Sequence, residues 1–152
     1  MDIFEELINV TRAFEEAGVE YALCGGLAMG ILAEPRFTRD IDMLILEEDL
    51  PKAKEALKSV DFILSSGIIP FKKADGGFRE IQRISKAEGS DLMVLDLLLV
   101  SDDLQDAWDG RELHKMDDIE LKVVSRDGLI VMKELAGRPQ DLVDIQKLKE
   151  HG

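Results

Sequence analysis

The sequence predicts an α/β (α+β) fold: a mixed, twisted sheet with helices packed on it. Segments of helical period alternate unevenly with short strand-like segments, and two strand-like segments follow each other mid-chain. A long apolar run, Leu92 to Val100, carries a single charge, Asp96, and reads as a buried central strand. The 152 residues are enough for one domain, residues 1–152, with a real core. Residues 125–152 form its helical C-terminal segment.

Ile3, Phe4, Leu7, Ile8, Val10, Ala13, Phe14 and Ala17 recur at helical spacing, and Gly18 follows as a stop. Tyr21 to Cys24 reads as a short buried strand ending at Gly25-Gly26. Leu27 to Ala33 is a short helix closed by Pro35. Ile41 to Leu46 is a strand. Leu50 to Lys58 is a helix with Pro51 in its first turn and Asp49 as its cap. Asp61 to Leu64 reads as a strand, Gly67 to Gly77 as turns and a hairpin, and Phe78 to Ile84 as a half-exposed strand. Asp102 to Asp118 is acidic, with Trp108 anchoring a loop or short helix. Ile119 to Val124 is the last strand. Ser125 caps a helix through Leu135, and Asp141 to Lys149 continues as another. No internal repeat or low-complexity segment interrupts the pattern.

Composition narrows the function classes. The chain is 45% hydrophobic and 34% charged, as soluble globular proteins are. No apolar run approaches the roughly 20 residues of a membrane span. Met1 to Glu6 is acidic and amphipathic, unlike a secretory leader. The single Cys24 makes no internal disulfide and fits a reducing compartment, so the expected location is cytoplasmic. Nineteen basic residues against 32 acidic ones leave a net charge of −13. That argues against an extended nucleic-acid face, which needs phosphate neutralisation. It leaves room for a small phosphorylated ligand met by local cations.

The chemistry-bearing residues cluster around Gly25-Gly26 and Asp40-Ile41-Asp42. In a strand, residues i and i+2 share a face, so Asp40 and Asp42 stand about 7 Å apart along it. Carboxylates that close repel, and a divalent cation is the common remedy. Asp96 sits in an apolar strand, where a charge is costly unless paired or coordinating. With its strand beside that of Asp40 and Asp42, the three carboxylates would hold two Mg²⁺ ions for in-line phosphoryl displacement, and Asp96 would suit a general base. Gly25 and Gly26 let backbone approach a phosphate at a helix N-terminus. Arg36, Arg39 and Lys133 could neutralise the rest of a triphosphate.

Plainer readings stand beside these. Asp40 and Asp42 could be a solvated strand start next to Arg39. Asp96 could pair with Arg79 or Arg83, and Asp91 is a rival third ligand at the polar start of the strand. Gly25-Gly26 alone is a tight turn, Lys133 a solvated helix residue, and Arg138 could pair with Asp141. A calcium loop is excluded, because Met43-Leu44-Ile45 offers neither a third oxygen nor a turn glycine. The Asp-x-Asp of glycosyltransferases leaves the upstream glycines unexplained.

Gly25-Gly26, thirteen residues (27–39), Asp40-Ile41-Asp42 and the later Asp96 resemble the signature of the DNA polymerase β-like nucleotidyltransferase superfamily. Arg36-x-Thr38-x-Asp40-Ile41-Asp42 is similar to its small bacterial members. Lys133 to Ile145 resembles a motif of the abortive-infection toxin branch, which implies that Lys133 and Asp141 contact the nucleotide. Many members have Gly-Ser where this chain has Gly25-Gly26. The resemblance implies a nucleotidyltransferase-like fold and Mg²⁺-dependent transfer of a nucleoside monophosphate from an NTP to a hydroxyl, with release of pyrophosphate. The acceptor is left open among a protein, a tRNA end and a small molecule, and a companion protein is expected. The alternative is a non-catalytic module of the same fold that binds a nucleotide or a partner.

Overall fold

The computed structural model describes residues 1–151. Seven strands form one sheet in the order β3-β4-β5-β2-β1-β7-β6. They are β1 (Ala22–Cys24), β2 (Asp40–Ile45), β3 (Leu64–Lys72), β4 (Phe78–Glu88), β5 (Asp91–Leu99), β6 (Glu112–Met116) and β7 (Ile119–Val123). The sheet is mixed: β2 runs parallel to β5 and β1 parallel to β7, and the other pairs are antiparallel. The helices are α1 (Ile3–Ala17), α2 (Gly25–Leu32), α3 (Leu50–Lys58), α4 (Gln105–Asp109), α5 (Arg126–Ala136) and α6 (Pro139–Glu150). The last residue of the expected C-terminal segment, Gly152, lies outside the described residues.

The apolar stripe of α1 becomes core through Leu7, Val10 and Phe14. Asp2 caps its start by accepting from the Phe4 and Glu5 backbone N–H groups. Alternation in β2 divides its residues between the faces. Ile41, Met43 and Ile45 are fully buried on one, while Asp40 and Asp42 stand on the other. Helix α1 lies against the face opposite these aspartates, where Lys86 of β4 reaches its Glu6 (2.8 Å). Helices α2, α5 and α6 gather on the aspartates' side, so the site is the groove between sheet and helices. Among the described residues, no helix is long and apolar enough to cross a membrane.

Four local expectations are corrected. Asp49 does not cap α3: the 3₁₀ turn Glu47–Asp49 gives it near-helical dihedrals (φ −91°, ψ −4°), and its side chain takes no capping bond. Asp61 to Leu64 is not a strand. Asp61 turns with φ 68°, and the strand begins at Leu64. The stretch Gly67 to Gly77, read as turns and a hairpin, does hold the hairpin that joins β3 to antiparallel β4, but its first half is strand rather than turn, because Pro70 and Gly67 are tolerated on a sheet edge. The acidic stretch after Asp102 also contains β6, which closes the opposite edge.

Candidate active site

A single row of residues crosses the sheet at the site. Cys24 of β1 pairs in register with Asp42 of β2, Asp42 with Asp96 of β5, and Asp96 with Arg83 of β4. Partners in register project to the same face, and Asp40, two residues from Asp42, joins them. The sequence left open which face Asp96 takes; the register puts it with Asp40 and Asp42.

The three carboxylates differ in surroundings. Asp96 is 5% exposed, and both its oxygens accept from Arg83, Nε at 2.8 Å and Nη2 at 2.9 Å. So Asp96 both shares the row and takes the ion pair with Arg83 that the sequence offered as an alternative. Among the described residues, the carboxylates of Asp40 and Asp42 receive no hydrogen bond or ion pair. Burial, then the charges of Asp96 and Asp40, push the Asp42 carboxyl up to about 7. Burial and Asp96 also raise Asp40. Asp91, the rival ligand, is exposed at the strand start beside the N-terminal amine (3.3 Å).

Gly25 and Gly26 form the first turn of α2 against this row. A Cβ at Gly25, whose φ is +67°, would lie 2.2 Å from Asp42 Oδ2. A Cβ at Gly26 would lie 2.7 Å from Thr38 Oγ1. Gly25 is thus required by the close passage of α2 over β2, and Gly26 by its passage over Thr38 in the segment before β2. Thr38 brings a hydroxyl to the space where a serine at position 26 would project, and this residue was missed as a site candidate.

Two connected clefts open from the row. The polar one, about 440 Å³, runs past Gly25, Gly26, Arg36, Thr38, Arg39 and Gln140. The other, about 360 Å³, contains Asp96 and Arg83 and is walled by apolar side chains including Ile69, Phe71, Leu98 and Met132. Asp40, Asp42, Gly25, Lys133 and Arg138 border both.

The basic residues named from the sequence are not equally free. Arg36 Nη1 donates to both oxygens of Asp144 (2.6 and 2.7 Å), and Lys133 Nζ donates to the same carboxylate at 2.7 Å. Gln140 completes the cluster at 2.9 Å. Burial works to raise the Asp144 carboxyl, but Lys133, Gln140 and Arg36 outweigh it and hold it low. Asp141 is occupied by Arg138, whose Nε and Nη2 donate at 2.7 and 3.1 Å. Arg39 packs on the exposed ring of Phe37, 5.6 Å from its centroid. Asp144, the hub, was missed, since an acid at helical spacing between Val143 and Ile145 carries no mark of burial. Lys73 and Arg79, two further cations lining the apolar cleft, are both held by Asp103.

The pattern of one protein family, described as nucleotidyl transferase AbiEii toxin, type IV TA system, matches residues 10–152. The chain belongs to this family. None of the curated proteins matches it in sequence. Among solved structures, a Thermotoga maritima protein described as a nucleotidyltransferase is similar at TM-score 0.65 and 13% identity, covering 99% of this chain and 94% of that one. ANT(2″)-Ia in complex with adenylyl-2″-tobramycin is similar at TM-score 0.55 and 14% identity, covering 97% of this chain and 88% of that one. At these identities the likeness carries the fold, and it agrees with the mixed sheet. As an AbiEii-family member the chain is a nucleotidyltransferase, which favours the enzyme over the non-catalytic module.

Asp40 and Asp42 fit a divalent cation: they are adjacent hard-oxygen donors that the protein leaves without partners, on the wall of a polar cleft. No three His, Cys, Asp or Glu side chains among the described residues stand together as a complete ligand set. Asp96, the third of the row, faces Arg83.

Proposed function

We propose that this AbiEii-family enzyme transfers a nucleoside monophosphate from an NTP to a hydroxyl and releases pyrophosphate, with Mg²⁺ at Asp40 and Asp42. The observation that carries the reading is the row Asp42–Asp96–Arg83 with Asp40 beside it, under the N-terminus of α2. Bound Mg²⁺ would supply charge neutralisation on the phosphates.

The chain's own residues divide the remaining work. The backbone N–H groups at Gly25 and Gly26, with Thr38 and Arg39, line the polar cleft and suit the two phosphates that leave. An in-line attack then comes from the opposite side, where the apolar cleft holds Asp96. Asp96 suits acceptance of the hydroxyl proton. The new bond joins the acceptor oxygen to the α-phosphorus, and the bond from that phosphorus to the bridging oxygen breaks. Arg36, Lys133 and Asp141 hold the cleft's helical wall in place around Asp144 and Arg138. Their contact with the nucleotide, implied by the resemblance, would need these pairs to be shared.

The acceptor is a protein, a tRNA end or a small molecule, and a companion protein accompanies the enzyme in the cell. The reaction is expected in the cytoplasm.

The test is a transfer assay with each of the four labelled NTPs and Mg²⁺, against cell extract divided into protein, RNA and small molecules. Label should enter one fraction with matching pyrophosphate release. Asp42→Asn should lower the rate at least about 10³-fold while keeping the circular dichroism spectrum. An Asp42→Asn enzyme as active as the native one would overturn the mechanism.

A further inference from the structure

Arg83 stands in the same row as Asp42 and Asp96, one strand beyond them. Its guanidinium grips Asp96 fork on fork, so both carboxylate oxygens are used. The partners are unequally fixed. Asp96 is almost wholly enclosed by the sheet, whereas the Arg83 side chain keeps 34% of its exposure on the open side of the cleft. Arg83 is therefore the partner free to leave. Arg79, two strand repeats away on the same face, is held by Asp103 and Ser101 and does not reach Asp96.

The geometry points to Arg83 as a latch on the cation site. In the nucleotide-free enzyme it occupies the third carboxylate, and the arriving triphosphate draws it off and frees Asp96 for the cation. This rests on the reading of Asp40 and Asp42 as cation ligands. A guanidinium gripping both oxygens of Asp96 competes with a metal ion for them, because it neutralises the carboxylate and repels a second cation. A nucleotide resolves the competition because its phosphates pair with a planar guanidinium as well as a carboxylate does. In the exchange Arg83 passes from carboxylate to phosphate and Asp96 from guanidinium to cation, so no ion is left unpaired. The enzyme then holds its cation weakly until the nucleotide arrives. Arg83 is a positioning residue in this scheme, acting through Asp96.

The experiment is a Mn²⁺ titration followed by electron paramagnetic resonance, with and without a non-hydrolysable NTP analogue. Native enzyme, Arg83→Met, Arg83→Lys, Asp42→Asn and the double variant Arg83→Met with Asp96→Asn are compared. Without nucleotide, Arg83→Met should bind Mn²⁺ about tenfold more tightly than native enzyme or better. Arg83→Lys keeps the charge but loses the fork, and should also bind more tightly than native. The gain should vanish in the double variant. With the analogue bound, native enzyme and Arg83→Lys should converge. If Arg83→Met does not fold, Arg83→Lys decides alone. Unchanged or weaker nucleotide-free affinity in Arg83→Lys overturns the latch, since charge removal by itself predicts no gain there. If native enzyme binds no more Mn²⁺ than Asp42→Asn even with the analogue, the cation reading of Asp40 and Asp42 fails, and the latch with it.

Discussion

Asp42 stands unpaired among the described residues, in the row beside two other carboxylates, Asp40 and Asp96. Its carboxyl, ordinarily near 3.8, is pushed up to about 7. Between these values the folded chain holds a proton that the unfolded chain has lost, so stability falls as pH rises through that window and levels off above it. The shift corresponds to at most about 4 kcal/mol, and the solvent that still reaches the side chain reduces it. Asp42→Asn should therefore melt higher than native protein at pH 8, with the gap closing toward pH 4. Calorimetry across that range checks the sign, and a variant that melts lower at pH 8 contradicts it. Gly25 is the mirror case, a residue whose lack of a side chain is the requirement. Gly25→Ala meets both a positive φ and Asp42 Oδ2, and should cost about 1–3 kcal/mol in urea unfolding together with most of the transfer activity.

Among the elements, α6 acts on the site through one side chain. Asp144 is fully buried and binds Arg36 from the segment before β2 and Lys133 from α5. Asp144→Ala leaves Lys133, 7% exposed, without its nearest counter-charge. Removing one member of such a buried pair should cost about 3–5 kcal/mol, measured as a shift of the urea midpoint, with Asp144→Asn costing less.

The same elements show what could be read from the chain and what could not. Helix α1 and strands β2 and β5 were legible because burial on one or both faces imposes a clear period. Strand β3 was not. As an edge strand it pairs on one side and is exposed along most of its length, so nothing removed the turn residues Gly67 and Pro70. The Arg83–Asp96 pair could be named only as one of two, because Arg79 and Arg83 share a strand face and the choice depends on register. Asp144 stayed hidden because Arg36, which identifies it, lies 108 positions away in the chain.

At the scale of the whole molecule, charge is the dominant feature. With 32 acidic and 19 basic residues, much of the surface repels itself. Ions shorten the reach of that repulsion to about 10 Å at 0.1 M. The melting temperature should rise between 10 and 150 mM NaCl, and a fall would mean that the exposed ion pairs outweigh the net charge. The same excess predicts negligible affinity for duplex DNA in a gel-shift at physiological salt.

The placement of Asp144 downstream of all three row aspartates also has a meaning in time. A ribosome delivers residues in order, and the sheet strands that carry Asp40, Asp42 and Asp96 emerge well before α6. Until residue 144 has emerged, Lys133 and Arg36 lack their shared anchor, and the wall of the polar cleft has nothing to close on. The growing polypeptide would thus carry its three row aspartates before it has a cleft to hold a substrate. The cleft would be completed only once α6 has been made.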